Sequence, residues 1–116
     1  MKNIKRLVII ESPFAGKIKR NIKYARECVR DSLLKREYPI ASHLLYTQKG
    51  ILDDSKPEER KLGIKAGLSW GKFAELTAVY IDFGISEGMK FGIKIAKQEN
   101  RKIEYRKIKN GRQAKR

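Results

Sequence analysis

Two carboxylates, Glu11 and Asp82, each follow an apolar run and precede a glycine-containing loop, in "VIIESPFAG" and "VYIDFGISEG". An acidic side chain just beyond a buried strand is placed to pair with the hydroxyl groups of a ribose. The loop glycines Gly16, Gly84 and Gly88 permit backbone conformations or close approaches that a side chain would block. The alternative is that both carboxylates only cap the turns that follow them.

A helix is predicted to start directly behind the second loop. Ser86 is its expected N-cap, and the backbone N–H groups of Glu87 and Gly88 have no helical partner in the first turn. Free N–H groups and the helix dipole both favour a phosphate. The two loops together therefore predict a site for a nucleotide-like ligand.

The segment "ASHLLY" holds two further candidates. His43 follows the second predicted strand, which would bring it to the same edge of the sheet; a purely structural role is the alternative. Tyr46 could stack on a base or pack against a neighbouring chain. Trp70 and Phe73 are expected in the core or in an interface rather than against a ligand.

The elements that must position these residues alternate between strand and helix. Apolar runs at 6–10, 38–41 and 76–82, and an alternating run at 101–108, predict four strands. Helical spacing of apolar residues predicts three helices between them. Their stripes are Ile18, Ile22, Ala25, Val29 and Leu33; then Leu62, Ala66, Trp70 and Phe73; then Met89, Ile93 and Ala96.

The second helix carries its own start signal and an unusual row of glycines. Ser55 as N-cap, Pro57 in the first turn and Glu58 form a predicted capping box. Glycines at 63, 67 and 71 each cost about 1 kcal/mol of helix propensity, so close packing against a neighbour is expected there. Residues 42–54 are expected to form a long connection.

This order of elements predicts an α/β fold. It is a small Rossmann-like three-layer sandwich with a mainly parallel four-stranded sheet of strand order 2-1-3-4. Such a sheet has a topological switch point between its first and third strands, where ligands bind outside the carboxyl ends. The loops 11–16 and 82–88 meet there. We expect one α/β domain over residues 1–106 and a basic C-terminal arm over residues 107–116.

Composition bounds the classes of function. Lys and Arg number 28 against 13 Asp and Glu, a net charge of +15 over 116 residues, which predicts an anionic partner. Nucleic acid is one candidate through the basic arm, although no helix-turn-helix, zinc-finger or RNP-like pattern accompanies it. No apolar run is long enough for a membrane span or a signal-peptide core, so a cytoplasmic, membrane-free protein is expected. The single cysteine, Cys28, has no partner for a disulfide or a structural zinc site, and neither a metal nor a cofactor is expected.

Two stretches resemble the nucleoside 2-deoxyribosyltransferases. "VIIESPFAG" followed by Asn21 is similar to their opening strand and Gly-Pro-Phe-like loop, which here is Ser12-Pro13-Phe14. "YIDFGISEGMKFGIKIA" is similar to their aspartate, Gly-Thr loop and helix. Over residues 6–106 the chain resembles more closely a family of small, functionally uncharacterised proteins common in phages and mobile elements. The segments "PIASHLLYTQ", "ILDD", "PEER" and "GIKAGLSW" carry that second resemblance.

The resemblance also has a departure with consequences for function. In the transferases a catalytic glutamate lies on the helix after the Gly-Thr loop and attacks the sugar. The matching position here is Gly92 or a direct neighbour, Phe91 or Ile93, and Glu87 lies too early. Covalent catalysis of that kind needs a carboxylate. The resemblance therefore implies the fold and a nucleoside-like ligand, and the missing carboxylate weakens the expectation of transferase chemistry.

The resulting prediction is a non-catalytic binder of a nucleotide or nucleotide-derived signal. A phage protein that sequesters a host immune signal is the version suggested by the resemblance, and a homo-oligomer is expected by the same analogy. An enzyme acting on an N-glycosidic bond, or a nucleic-acid-binding protein, is the alternative. The predicted ligand-binding residues are Glu11, Ser12, Pro13, Phe14, Gly16, Asn21, His43, Tyr46, Asp82, Gly84, Ser86, Glu87, Gly88 and Met89.

Overall fold

The computed structural model describes residues 6–108. In chain order the elements are β1 (Leu7–Glu11), α1 (Ile18–Leu34), β2 (Tyr38–Ile40), α2 (Ser42–Leu45), α3 (Pro57–Gly71), β3 (Leu76–Tyr80), α4 (Glu87–Gln98) and β4 (Lys102–Arg106). All predicted strands form, although β3 and β4 are shorter than the predicted runs 76–82 and 101–108. The short helix α2 lies in the segment expected to be a connection.

The sheet has four parallel strands in the order β2-β1-β3-β4, which confirms the predicted α/β fold. β1 pairs with β2 from Leu7 opposite Tyr38 and with β3 up to Glu11 opposite Val79. The chain leaves β1 and β3 toward helices on different faces. The predicted switch point therefore lies between the carboxyl ends of these two strands.

Each face of the sheet is covered by a different helix. The α1 face buries Val8, Ile10, Tyr24, Cys28 and Tyr80 in one cluster. The α4 face buries Val79, Met89 and Ile93 in another. Alternate side chains of a strand point to opposite faces, and Ile10 points to α1. The side chain of Glu11 therefore points to α4.

The buried face of α1 differs from the predicted apolar stripe. Ile18 is 46% exposed and Leu33 is 51% exposed. The helix buries instead Asn21, Tyr24, Ala25, Cys28 and Ser32. Its polar members are hydrogen-bonded to other segments, which removes the cost of burying them. The stripe prediction was wrong here because it counted only apolar side chains.

A buried ion pair joins the start of β2 to the end of β4. The Arg106 guanidinium donates to both carboxylate oxygens of Glu37, at 2.9 and 2.8 Å. Ser32 and Arg6 also donate to this carboxylate, and Arg106 donates to the Tyr80 hydroxyl. Burial raises the pKa of Glu37, but the hydrogen bonds, chiefly from Arg106, outweigh it and leave the pKa below its ordinary value. The network therefore fixes both edges of the sheet around α1.

The start of α3 differs from the predicted capping box. Its N-cap is Lys56, and no side chain caps it, while Pro57 does stand in the first turn. The Ser55 hydroxyl donates to Asp53 in the preceding turn instead. The Glu59 carboxylate accepts a hydrogen bond from the Asp53 backbone N–H at 2.7 Å. The acidic first turn therefore holds the loop before the helix rather than the N-cap itself.

The glycines of α3 form its packed face. A Cβ at Gly67 would lie within 2.8 Å of the Ser42 side chain, and one at Gly63 within 3.2 Å of Leu52. The close packing expected from the sequence is therefore confirmed. The large apolar side chains face outward: Trp70 is 56% exposed and Phe73, beyond the helix end, is 72% exposed. Neither contributes to the core of this chain.

The domain continues slightly past β4. Ile108 is buried in the cluster on the α1 face, beyond the boundary expected after residue 106. The rest of the predicted basic arm, residues 109–116, lies outside the described residues. Within residues 6–108, no helix combines the length and the apolar character that a membrane crossing requires.

Candidate functional site

The carboxyl group of Glu11 lies directly against Gly92 of α4. A Cβ built on Gly92 would stand 2.7 Å from Oε1 of Glu11 and nearer still to Cδ and Oε2. Real Cβ atoms do not approach other atoms so closely, so the glutamate occupies the space of a side chain at position 92. The helix therefore needs glycine at this position for as long as Glu11 keeps its conformation.

The environment of Glu11 favours its protonated form. Burial raises the pKa of its carboxyl from 4.5 to about 8, and the positive charge of Arg101 lowers it by a smaller amount. Among residues 6–108, no group donates a hydrogen bond to this carboxyl. A half-buried carboxyl without a protein donor is unusual, and no structural role among the described residues accounts for it.

Ser12 and His43 form a pair next to Glu11. The Ser12 hydroxyl and Nε2 of His43 are 2.7 Å apart in a hydrogen bond. Burial lowers the pKa of His43 to about 4, so the ring is neutral at physiological pH. It serves as a neutral donor or acceptor there and is unsuited to act as a general acid. The sequence-based expectation that His43 reaches the same sheet edge is thus met by its contact with Ser12.

Asp82 occupies a different setting from Glu11. Its Oδ1 atom accepts hydrogen bonds from the Tyr24 hydroxyl at 2.5 Å and from the Ile108 backbone N–H at 3.0 Å. The Asp82 backbone N–H in turn donates to the Tyr24 hydroxyl. Asp82 therefore ties the end of β3 to α1 and to the segment after β4, in accord with the alternative that it is a structural cap.

Asn21 holds the loop that follows β1. Its side-chain amide donates to the carbonyl groups of Phe14 and Ala15, at 2.9 and 3.1 Å, and its Oδ1 accepts from Arg20. These bonds engage both ends of the amide group within the protein. Asn21 therefore positions the loop after β1, and its contact with a ligand stays a prediction.

An arginine–aromatic contact joins helix α1 to the predicted ligand loop after β3. The guanidinium carbon of Arg20 lies 4.0 Å from the centroid of the Phe83 ring, and Tyr24 meets the same ring edge-on at 4.7 Å. Phe83 thus holds the loop after β3 against the first turns of α1. The positive φ angles of Gly16 (95°) and Gly84 (83°) are why glycine stands in each loop.

The start of α4 matches its sequence prediction. The Ser86 hydroxyl accepts a hydrogen bond from the Met89 backbone N–H, and the Met89 sulfur accepts one from the Ser86 N–H. Met89 is buried, so its role is in this cap and in the core. Glu87 is exposed and pairs with Lys90 at 3.1 Å. A Cβ at Gly88 would meet no atom within 4 Å, so the first turn of the helix is open.

A cleft of about 620 Å³ opens beside the loop after β1. Its walls include Phe14, Ala15, Gly16, Ile18, Thr47, Lys49, Gly50, Ile51, Leu52, Asp53, Asp54, Ser55 and Glu59. This volume is in the range of small-molecule sites. The acidic residues of the wall were not among the sequence candidates, because "ILDD" carries no spacing typical of a site. The described residues hold no cluster of His, Cys, Asp and Glu suited to a metal ion.

The remaining candidates lie at different distances from this edge. Pro13 is buried directly after Ser12. Tyr46 packs beside Gly63 of α3, within its own chain. The sequence-based predictions missed Arg20 and Tyr24. Their only signal was their spacing on α1, because a polar face of that helix was not expected to be buried.

Comparisons with known proteins agree with the fold. A solved 2-deoxyribosyltransferase from the psychrotolerant bacterium Bacillus psychrosaccharolyticus, described as a biocatalyst for nucleoside synthesis, is similar to the chain with a TM-score of 0.62 and 16% sequence identity. The similarity covers 87% of this chain and 72% of that chain, and at this identity it shows the fold alone. Curated proteins gave no match. Residues 6–106 match the family described as a domain of unknown function, DUF7768, and the chain therefore belongs to that family.

Proposed function

We propose that the chain binds a nucleotide or nucleotide-derived molecule at the carboxyl edge of its sheet, without reacting with it. The observation that carries the proposal is the Glu11 carboxyl, which has no hydrogen-bond donor among residues 6–108. With a pKa of about 8, this group is mostly protonated at neutral pH. A protonated carboxyl both donates to and accepts from sugar hydroxyls, whereas nucleophilic attack needs the ionised form.

Three parts of the edge suit three parts of such a ligand. Phe14 in the cleft wall offers a ring for stacking on a base. Glu11 and the Ser12–His43 pair offer hydrogen bonds to a sugar. The first turn of α4, capped by Ser86 and open at Gly88, offers backbone N–H groups and a dipole to a phosphate. The likeness of fold to a nucleoside-processing enzyme supports this class of ligand.

Calorimetric titration of the purified chain with a ligand panel tests the proposal. The panel is AMP, dAMP, adenosine and ribose 5-phosphate, and native mass spectrometry of protein purified without added ligand accompanies it. We expect AMP to bind with a dissociation constant below about 1 mM and Glu11→Ala to weaken it. Glu58→Ala, at an exposed position of α3, is the control. The proposal fails if no panel member binds and nothing nucleotide-like is released from the native protein.

A second candidate is an enzyme that cleaves or transfers an N-glycosidic bond. The observation that favours it is the position of the Glu11 carboxyl, in the space of a side chain at Gly92, where the resemblance expects a catalytic carboxylate. In its ionised form Glu11 would attack the anomeric carbon and form a glycosyl ester as the C–N bond breaks, the departing base would take a proton from water, and water or a second base would then release the sugar from Glu11. Chromatography for free base after incubation with nucleosides and nucleotides, at pH 7 and pH 9, tests it. Release that rises with pH and disappears in Glu11→Gln would favour the enzyme over the binder.

Two narrower proposals concern partners. The resemblance to small phage proteins suggests that the ligand is an immune signalling nucleotide that the protein sequesters, and the mass spectrum of released ligand would identify it. The exposed Trp70 and Phe73 suggest contact with a second copy of the chain, which light scattering would detect. Binding of nucleic acid through residues 107–116 stays a prediction, and its test is salt-dependent DNA and RNA binding before and after deletion of that arm.

A further inference from the structure

We infer that positions 11 and 92 are alternative anchors for one ligand-facing carboxyl group, which this chain supplies from strand β1 instead of helix α4. The ligand in this inference is the one of the proposed function, so that part rests on the proposed function. The pairing of positions 11 and 92 rests on geometry. It joins two residues that lie 81 positions apart (92 minus 11) in the printed sequence.

The Glu11 carboxyl group occupies the space of a side chain at position 92. Glu11 is the last residue of β1 and lies opposite Val79, whose side chain packs with Met89 and Ile93 of α4. The Glu11 side chain therefore crosses from the sheet to the helix beside this cluster. It ends with Cδ and both oxygens in the volume of a Gly92 side chain. One carboxyl fills this volume, and a second group has no room there.

The Glu11 carboxyl group has no structural role among residues 6–108. Buried carboxylates elsewhere in residues 6–108 have donors: Glu37 is held by Arg106, Arg6 and Ser32. Glu11 has none among the same residues, and burial favours its neutral form. A group with this cost and no internal partner is typical of a functional site. An apolar side chain would fill the same volume at lower cost if packing were its only role.

Glycine at position 92 is explained by the Glu11 carboxyl group and not by the backbone. Gly92 lies inside α4, where glycine is a poor helix former, and its φ is not in the left-handed region. The backbone therefore does not require glycine. The Glu11 carboxyl does require it, because any Cβ at position 92 would displace that group. Glutamate at 11 and glycine at 92 therefore belong together. We expect glutamate at 92 and a small residue at 11 to place a carboxyl group in the same space.

Gly92→Ala is the sharpest single change, since it moves the Glu11 carboxyl without removing it. The carboxyl is the far end of a flexible side chain, so we expect the melting temperature to change little, while affinity for AMP falls by roughly tenfold or more. The matched control is Gly71→Ala at the end of α3, where a Cβ would make ordinary contacts of 3.6 to 3.9 Å. Equal affinities of the two variants would overturn the inference.

The exchange of the two residues tests the pairing. We expect Glu11→Ala to lose roughly tenfold to a hundredfold in AMP affinity and the double variant Glu11→Ala/Gly92→Glu to regain at least part of that loss. dAMP and ribose 5-phosphate serve as further probes. A folded double variant that binds no better than Glu11→Ala would overturn the inference.

A ligand-free measurement separates this inference from the proposed function. Gly92→Glu places two carboxyls in one space when Glu11 is present and only one when alanine stands there. We expect Gly92→Glu to lower the melting temperature by roughly 5 °C more in the wild-type background than in the Glu11→Ala background. If no probe binds the wild type, the proposed function fails, and this difference alone decides the inference. Equal shifts in both backgrounds would overturn it.

Discussion

Glu11 and Asp82 occupy equivalent places in the sequence, and the fold uses them differently. Each follows an apolar strand and precedes a loop with glycine. Asp82 accepts hydrogen bonds from the Tyr24 hydroxyl and the Ile108 backbone, so three segments depend on it. Glu11 lies against the backbone of Gly92, receives no hydrogen bond from residues 6–108, and is buried enough that its charge is disfavoured. The fold therefore uses the Asp82 carboxylate to tie segments together, and we propose that the Glu11 carboxyl is left for a ligand.

The direction of the side chain explains the difference. Glu11 is still within β1, so the alternation of the strand aims it at α4. Asp82 lies beyond the end of β3 at Tyr80, where the backbone has left the sheet and brings the carboxylate to the Tyr24 hydroxyl of α1. Glu11 ends its strand and Asp82 lies two residues past the end of its own, and this difference decides which helix each carboxylate approaches.

Removal of the two carboxylates is the strongest test of this contrast. Asp82→Ala deprives the Tyr24 hydroxyl and the Ile108 N–H of their acceptor, and we expect the free energy of unfolding to fall by about 3 kcal/mol. Glu11→Ala removes a group without donors whose ionisation opposes folding at pH 7, and we expect no loss of stability, or a gain. Urea unfolding at pH 7 measures both. Equal losses would mean that Glu11 is structural as well.

The pH dependence of stability tests the unusual setting of Glu11. The pKa of Glu11 is about 8 in the folded chain, against an ordinary value of 4.5, so the folded form holds the proton more tightly and stability falls as pH rises between these values. His43 acts in the opposite direction, since its pKa drops from 6.5 to about 4 and stability rises with pH across that window.

Of Glu11 and His43, only Glu11 makes stability depend on pH between pH 6.5 and pH 8. We expect its titration to lower the free energy of unfolding by about 2 kcal/mol across that interval. Melting curves at several pH values should show this decline in the wild type and not in Glu11→Gln. Glu58→Gln, on the exposed first turn of α3, is the control and should keep the decline. Parallel curves for the wild type and Glu11→Gln would contradict the assignment.

Tyr24→Phe sharpens the contrast from the side of the donor. It removes the hydroxyl that donates to the Asp82 carboxylate and accepts from the Asp82 N–H. We expect a loss of about 1.5 kcal/mol, measured by urea unfolding. Tyr38→Phe, at a side chain that is 53% exposed, should cost almost nothing. A similar cost for both substitutions would show that Tyr24 does not anchor Asp82.

The smallest expected effect concerns the helix that Glu11 touches. Ser86→Ala removes the side-chain acceptor for the Met89 N–H and should cost about 1 kcal/mol by thermal unfolding. Ser69→Ala on α3, whose hydroxyl donates to the Lys65 carbonyl, is the comparison and should cost less. Because Gly92 lies in the same helix, fraying of its start should also weaken AMP binding.

The sequence predicted the architecture well because the strands are short and β-branched and the connections are regular. Strand order, parallel pairing and the Ser86 cap follow from local patterns, and so does the buried stripe of Met89, Ile93 and Ala96. The buried face of α1 and the start of α3 did not follow. In both places a polar residue finds its partner in a distant or neighbouring segment that local spacing does not reveal.

The site was predictable only in part, for the same reason. The loops, Glu11, Ser12 and His43 follow from the switch point of an α/β sheet. The contact of Glu11 with Gly92 depends on where β1 ends and on how α4 lies across the sheet, which no spacing within either segment encodes. A glycine inside a helical pattern was the one local signal, and it indicates a close approach without naming the group that approaches.

The Glu37–Arg106 pair has a consequence for how the chain reaches its fold. The two residues are 69 positions apart, and Arg106 ends the last strand. A chain made only as far as β3 lacks Arg106, so its Glu37 keeps donors only from Arg6 and Ser32 and the burial of its charge is less well compensated. Closing so long a loop delays the final step of folding. We therefore expect a chain truncated before β4 to be less stable than the domain that includes it and more exposed to misfolding and degradation.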